Sequence, residues 1–368
     1  MDITAAVVRN PEAGFGIEQL ELGEPGPGEV LVRLVATGLC HTDFVVLSPE
    51  FPAPRPMVAG HEGAGVVEAL GPGVDDLAVG DEVILSFDSC GTCPNCRSGA
   101  PAYCDRFYEL NLLGGGRPDG STAFSSGDEA VHSHWFGQSS FATHTIASVR
   151  SCVRRPADVV APLEICGPLG CGIQTGAGAV LNVLDPPAGS TLVVHGVGAV
   201  GLAAVMAGAI ASCGRIIAVD LQPERLALAR ELGATDVIDA ASTDDVTAAI
   251  LELTGGRGTD ASFDTTGIPA VIAAAALSLA PRGTLALVGV GDPAATIDTS
   301  HLMFGRSIRG VIEGDAVPQV FIPELLAHHA AGRFPFDRLI ERYPLADINS
   351  ALASSAAGGS IKPLLTMG

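Results

Sequence analysis

The sequence predicts an α/β protein of two domains: a β-rich domain over residues 1–172 with a C-terminal return over 316–368, and a doubly wound parallel sheet over 173–315. Three observations carry this. A chain of 368 residues exceeds what a single hydrophobic core usually organises. Gly-Pro pairs and further prolines punctuate the first 80 residues, which favours short strands over long helices. From about residue 173 short apolar runs alternate with Ala/Leu-rich stretches of helical length, the signature of a parallel sheet with crossover helices.

In the first part, Glu29-Val30-Leu31-Val32-Arg33-Leu34-Val35 follows the cluster Pro25-Gly26-Pro27-Gly28 and reads as a strand after a turn. Gly65–Leu70 and Asp81–Leu85 repeat the theme between glycine-rich breaks. In the second part, Thr191–His195, Arg215–Val219, Val237–Asp239, Asp260–Asp264, Gly283–Gly289 and Ile308–Ile312 read as buried parallel strands. Pro223–Leu232 and Pro269–Leu279 read as helices between them, and Ile322–Ala331 as a helix of the return. The run from Thr191 to Ala211 is long enough to span a membrane. It holds His195 and glycines at 196, 198, 201 and 208, and a buried strand–turn–helix explains it instead.

A net charge of −21 with a single lysine, Lys362, argues against nucleic acid or an anionic membrane as partner, since both select clustered Lys and Arg. Residues 1–10 lack a basic stretch of secretory type, so the expected location is cytoplasmic. Four of the nine cysteines fall within fifteen residues, a density that in an intracellular chain points to metal rather than disulfides.

That cluster, Cys90-x2-Cys93-x2-Cys96-x7-Cys104, supplies four thiolates, enough to saturate one tetrahedral zinc and leave no open position; the expected role is structural. A second set is dispersed: Cys40-His41-Thr42-Asp43, Gly60-His61-Glu62 and Gly170-Cys171-Gly172. Cys40, His61 and Cys171 would form a Cys2His set with one position open for water or an alcohol, the ligand arrangement of a catalytic zinc. Asp43 is placed to accept a hydrogen bond from the other ring nitrogen of His61. The third signal is His195-Gly196-Val197-Gly198-Ala199-Val200-Gly201 at a strand-to-helix turn. Gly196, Gly198 and Gly201 fit the close approach of a pyrophosphate, and Asp220, ending the next strand, would meet the adenosine ribose hydroxyls. No arginine directly follows Asp220, which favours NAD over NADP.

The segments Gly60-His61-Glu62-Gly63-x-Gly65, the four-cysteine loop, Gly170-Cys171-Gly172-x2-Thr175-Gly176 and the glycine-rich turn with Asp220 stand in the order seen in zinc-dependent medium-chain alcohol dehydrogenases, and the chain resembles that family over nearly its whole length. Within it, Cys40-His41-Thr42-Asp43, Gly137–Ala142 and Gly167–Gly176 are most similar to the bacterial aryl-alcohol (benzyl alcohol) dehydrogenases. The resemblance implies a GroES-like catalytic domain and a Rossmann domain, with the active site in the cleft between them. It implies two zinc ions per chain, NAD as cofactor, and a homodimer or homotetramer built on the edge near residues 301–313. It also implies roles: Thr42 passes the alcohol proton toward the cofactor ribose, and His41 and Lys362 lie near its pyrophosphate. By the same resemblance Arg225 lies near the adenosine ribose, Thr175 belongs to the cofactor site, and Glu62 stands behind the catalytic zinc.

Val45 departs from relatives that carry a histidine three residues after Thr42; the relay then ends at ribose and water or uses His41, and an apolar residue here suits the aryl-alcohol branch. Cys152, Cys166 and Cys213 read as small buried hydrophobes. His132, His134 and Trp135 read either as a substrate-side loop or as a solvated loop with one anchored aromatic, and His328 and His329 lie on a surface helix with no role. The function expected is hydride transfer between a primary, apolar or aromatic alcohol and NAD+, giving the aldehyde. Three alternatives remain at this point. A glutathione-dependent formaldehyde dehydrogenase would need basic residues to hold a tripeptide's carboxylates, and this chain is poor in them. A zinc-free quinone or enoyl reductase leaves both metal sets unexplained. A catalytically idle NAD-binding protein leaves Thr42 and the Cys2His set without purpose.

Overall fold

A computed structural model describes residues 1–113, 116–117, 119–157 and 159–368. The chain divides into two compact units: Met1–Gly172 with Val317–Ala330 and Asp337–Gly368, and Ile173–Ala316 with Ala331–Phe336. The α/β class predicted from the sequence holds, with β-rich structure in the first unit and a parallel sheet in the second.

Among the described residues the first unit holds two sheets. A five-stranded one runs Met57–Val58, Asp2–Val8, Gly16–Leu22, Phe124–Ser126, Glu129–Val131. The other is centred on Glu29–Gly38, which pairs with Gly63–Leu70 on one side and, antiparallel, with Lys362–Thr366 on the other. His144–Ser148 pairs with the first part of the same strand. Alternating side chains of these strands, Val30, Val32 and Leu34 with Val67, Val83, Leu85 and Ala147, make one apolar core. The C-terminal strand aligns Leu364 with Gly38 and so carries Lys362 to the end of the sheet where Leu39 and Cys40 emerge. Gly38 is required here: a Cβ on it would lie 2.0 Å from Glu62 Oε2.

The second unit is a six-stranded, all-parallel sheet in the order Asp236–Asp239, Arg215–Asp220, Thr191–His195, Thr259–Asp264, Leu279–Leu287, Ser307–Gly310. The order reverses at Thr191–His195, the switch point where doubly wound sheets bind ligands. The following helix, Ala199–Ile210, is buried along Gly201–Gly208, so it shows no polar face and its apolar run mimics a membrane span. Among the described residues no helix is long and apolar enough to cross a membrane. The helix Pro318–Ala330 starts four residues before the predicted Ile322 and runs through Pro323, because Phe321, Ile322, Leu325 and Leu326 are all buried along it.

Candidate functional site

The dispersed residues Cys40, His61, Glu62 and Cys171 meet in the first unit, with one ligand atom from each lying within 4.8 Å of the others. Three local structures deliver them. Cys40 precedes the short helix His41–Leu47; His61 and Glu62 precede the strand Gly63–Leu70; Cys171 follows the turn Gly167–Gly170. Asp43 is fully buried and joins the pieces. Its Oδ2 accepts from Cys40 N at 3.1 Å, and its Oδ1 accepts from Gly60 N at 3.2 Å. The same Oδ1 lies 2.8 Å from His61 Nδ1. A carboxylate there selects the tautomer with the proton on Nδ1 and leaves Nε2 as a lone-pair donor. His61 Nε2 is buried and makes no hydrogen bond among the described residues.

Behind the cluster, Lys362 Nζ sits 2.7 Å from Glu62 Oε1 and 2.6 Å from Oε2, both side chains being buried. Gly172 N also donates to Oε1, at 3.1 Å. Burial pushes the Glu62 carboxyl up to about 7 against the pull of Lys362, while Lys362 is held above the ordinary lysine range by Glu62 and Cys40 in spite of its burial. Interaction with Cys171 holds the Cys40 thiol well below its usual range although it is buried, and Lys362 adds to this. A set of two sulfurs, one imidazole nitrogen and an adjacent carboxylate, with an unsatisfied Nε2 facing it, fits a zinc ion. His41 is exposed with its ring against Phe44 at 5.0 Å, and Thr42 and Val45 are half-buried.

The sulfurs of Cys90, Cys93, Cys96 and Cys104 lie within 4.8 Å of one another, and all are free of disulfides. The Cys90–Cys96 separation is 3.9 Å, close to the edge of about 3.8 Å expected for a tetrahedron with Zn–S of about 2.3 Å. Backbone N–H groups point at the sulfurs as they do at thiolates: Cys93 N to Cys90 Sγ at 3.3 Å, Cys96 N to Cys93 Sγ at 3.4 Å, Arg106 N to Cys104 Sγ at 3.4 Å. With Thr92 N–H and hydroxyl contributing first, Cys90 is lowered to about 6. This donor set also fits zinc.

In the second unit, Gly196 has φ +82° and ends the strand; Gly198 caps the helix Ala199–Ile210, whose N-terminus has no side-chain cap. A Cβ on Gly201 would lie 1.9 Å from Gly196 O, so only glycine lets the helix sit this close to the turn. Asp220 is oriented by three backbone donors: Val197 N at 2.7 Å, Leu221 N at 2.8 Å and Gln222 N at 3.0 Å. Of about four acceptor sites on a carboxylate, these leave one for a ligand hydroxyl. Arg225 Nη1 lies 3.9 Å from the Cβ position of Gly198, and Thr175 is buried. An uncapped helix N-terminus behind a glycine turn, with a carboxylate at the neighbouring strand end, fits a dinucleotide.

Three residues beside the first cluster have no metal-centre role in the sequence reading, which places Trp135 in a substrate-side or solvated loop and Gln138 in the Gly137–Ala142 segment. Trp135 and Phe136 are buried, Phe136 stacking on the His61 ring at 4.4 Å. Gln138 is fully buried and donates to His61 O and Ser86 O while accepting from Gly63 N. The solvated-loop reading of this stretch is thereby corrected: His134 is buried, its Nε2 2.9 Å from Glu29 Oε1, which also pairs with the half-buried Arg117. Cys152 and Cys166 are buried as expected, and Cys213 is only half-buried.

Residues 26–157 match the family model described as the alcohol dehydrogenase GroES-like domain, and residues 199–328 match zinc-binding dehydrogenase. The chain is 44% identical to a geraniol dehydrogenase of Castellaniella defragrans, over 98% of this chain and 96% of that one. Among solved structures it is similar to an alcohol dehydrogenase zinc-binding domain protein from Burkholderia ambifaria, with TM-score 0.97, 49% identity, and 100% and 99% of the two chains covered. It is also similar to the benzyl alcohol dehydrogenase of Acinetobacter calcoaceticus, with TM-score 0.95, 42% identity and full coverage of both chains. The chain belongs to the zinc-dependent medium-chain alcohol dehydrogenases.

Proposed function

We propose that the protein oxidises a primary, apolar alcohol, aromatic or of similar character, to its aldehyde, with reduction of NAD+ to NADH and release of a proton. The observation that carries this is the meeting of Cys40, His61 and Cys171, with a buried, unsatisfied His61 Nε2, in a chain whose other unit presents an uncapped helix N-terminus and Asp220. Zinc held by Cys40, His61 and Cys171 supplies a Lewis acid that makes an alcohol proton easier to remove at neutral pH. A second zinc, held by Cys90, Cys93, Cys96 and Cys104, ties their loop.

In this reading each side chain has a task set by its surroundings. The Thr42 hydroxyl takes the alcohol proton and hands it on; with Val45 in place of a second base, the path ends at solvent or at exposed His41. Asp43 keeps the proton of His61 on Nδ1. Glu62 and Lys362 offset each other's charge within the buried cluster, and Lys362 serves the cofactor phosphates only by giving up part of this pairing. Gly196, Gly198 and Gly201 leave room for the pyrophosphate, Thr175 borders the site, Arg225 lies near the adenosine ribose, and Asp220 accepts from one of its hydroxyls. The paucity of basic residues, with Lys362 buried, speaks for an uncharged substrate. The geraniol and benzyl alcohol dehydrogenases among the relatives support an apolar alcohol. A dimer is proposed on the edge strand Ser307–Gly310, beside which Met303 and Phe304 are exposed.

The deciding experiment follows NAD+ reduction with benzyl alcohol and with ethanol, with and without glutathione. Burying a ring contributes roughly 1.5–3 kcal/mol, so kcat/KM for benzyl alcohol should be about ten-fold or more above that for ethanol. Equal values, a requirement for glutathione, or reduction of NADP+ as fast as NAD+ would refute the reading.

A further inference from the structure

Between residues 134 and 139 four positions lie in the left-handed region: His134 at φ +66°, Phe136 at +53°, Gly137 at +69° and Ser139 at +57°. Three of these are not glycine, and such backbone persists only where the surroundings over-determine it. The surroundings do so here. Ser139 Oγ accepts from Trp135 N at 2.9 Å and donates to Val58 O at 2.7 Å, and Gln138 is hydrogen-bonded to His61 O, Ser86 O and Gly63 N.

The strained backbone brings two aromatic rings onto one target. Phe136 stacks on the His61 imidazole with 24° between the planes. Trp135 Nε1 donates to Asp43 Oδ1 at 3.2 Å, the oxygen that also holds His61 Nδ1 at 2.8 Å. Trp135 is the only tryptophan in the chain, is 2% exposed, and packs edge-on against Phe51 and Phe136. Asp43 thus receives four donors, two backbone and two side-chain, and the indole is the one that comes from outside the ligand-bearing segments.

We propose that Trp135 is a positioning residue of the Cys40–His61–Cys171 centre, its indole N–H fixing Asp43 and, through Asp43, the rotation and tautomer of His61. The inference rests on the metal-centre reading given above. A buried indole N–H needs an acceptor wherever it lies; here the acceptor is the same Asp43 oxygen that holds His61 Nδ1. Trp135→Phe keeps an aromatic ring between Phe51 and Phe136 and removes that donor.

The test uses the holoprotein and measures zinc affinity at both sites by chelator competition, with the four-cysteine site as an internal reference. Loss of partners that orient metal-bound histidines typically lowers metal affinity by 10–100-fold, and Trp135→Phe should fall near the lower end, about ten-fold. The four-cysteine site and the unfolding temperature should stay at wild-type values, and cobalt substituted at the Cys40–His61–Cys171 site should show an altered ligand-field spectrum. On an Asp43→Asn background, Trp135→Phe should add little, because the two act through one contact. Wild-type affinity at both sites in Trp135→Phe would overturn the proposal and leave the metal-centre reading intact. Loss of both metals with a lowered unfolding temperature would also overturn it, marking Trp135 as a packing residue. A wild-type protein that binds zinc only at the four-cysteine site would overturn the reading itself.

Discussion

His195 ends the central strand of the parallel sheet with both ring nitrogens buried and unpaired. Burial alone pulls it down to about 4, so the folded protein holds it neutral while the unfolded chain protonates near its ordinary 6.5. Well above pH 6.5 its titration leaves stability unchanged, and protonation of the unfolded chain progressively destabilises the fold as pH falls toward 4. The loss approaches about 3 kcal/mol. His195→Leu should therefore match or exceed wild-type stability at pH 7. Between pH 7 and 4.5 it should lose about 2–3 kcal/mol less than wild type, read from urea denaturation midpoints at the two pH values. Asp220 makes a second prediction at this scale. Asp220→Ala removes a charged acceptor, about 1.5–3 kcal/mol, and also frees Val197 N in the glycine turn. NAD binding should weaken by about ten- to a hundred-fold and the margin over NADP should narrow, measured as Kd by calorimetry. An unchanged NAD preference in the mutant would remove Asp220 from the ribose site.

At the scale of elements, the four-cysteine loop and the loop entering residue 134 are braced in different ways. The first depends on sulfur donors around a site that fits zinc, so Cys93→Ser should lower the unfolding temperature and release one zinc. Cys171→Ser should abolish turnover with the fold retained. The second depends on Glu29, which accepts from Gly26 N, Arg117 and His134 Nε2. Burial works to raise the Glu29 carboxyl, but His134, Arg117 and Gly26 outweigh it and hold it at about 2. Its stabilising effect is complete above its unfolded value of 4.5 and vanishes as pH falls toward 2. Glu29→Gln should cost about 1.5–3 kcal/mol at pH 7 by thermal unfolding, less at pH 3. Strands and motifs on short, punctuated segments were legible in the sequence: Thr191–His195 was bounded to the residue, and the four cysteines announced their cluster by spacing. The metal-centre contacts of Phe136, Trp135 and Gln138 were not, because left-handed backbone at His134, Phe136 and Ser139 carries no local signal and is held largely by contacts 52 to 92 positions away. Convergence of Cys40, His61 and Cys171 was suggested only through motif order, since spacing of this length says nothing about distance in space.

For the whole molecule, the exposed Met303 and Phe304 next to the edge strand Ser307–Gly310 set an expectation for assembly. Phe304→Glu should shift the sedimentation coefficient toward the monomer relative to wild type; an unchanged value would place the interface elsewhere. The strand Lys362–Thr366 has a further consequence. It is hydrogen-bonded into the middle of the first unit, beside Glu29–Gly38, while the second unit comes almost entirely from the contiguous stretch Ile173–Ala316. On the ribosome the later-encoded unit therefore has its whole sheet available first, whereas the earlier one stays open along one strand, with Glu62 lacking its cation, until residues 362–366 emerge. Nascent chains from which residues up to 340 have left the ribosome should show the parallel sheet protected from protease and the N-terminal strands still cleavable, an inversion of the usual first-made, first-folded order.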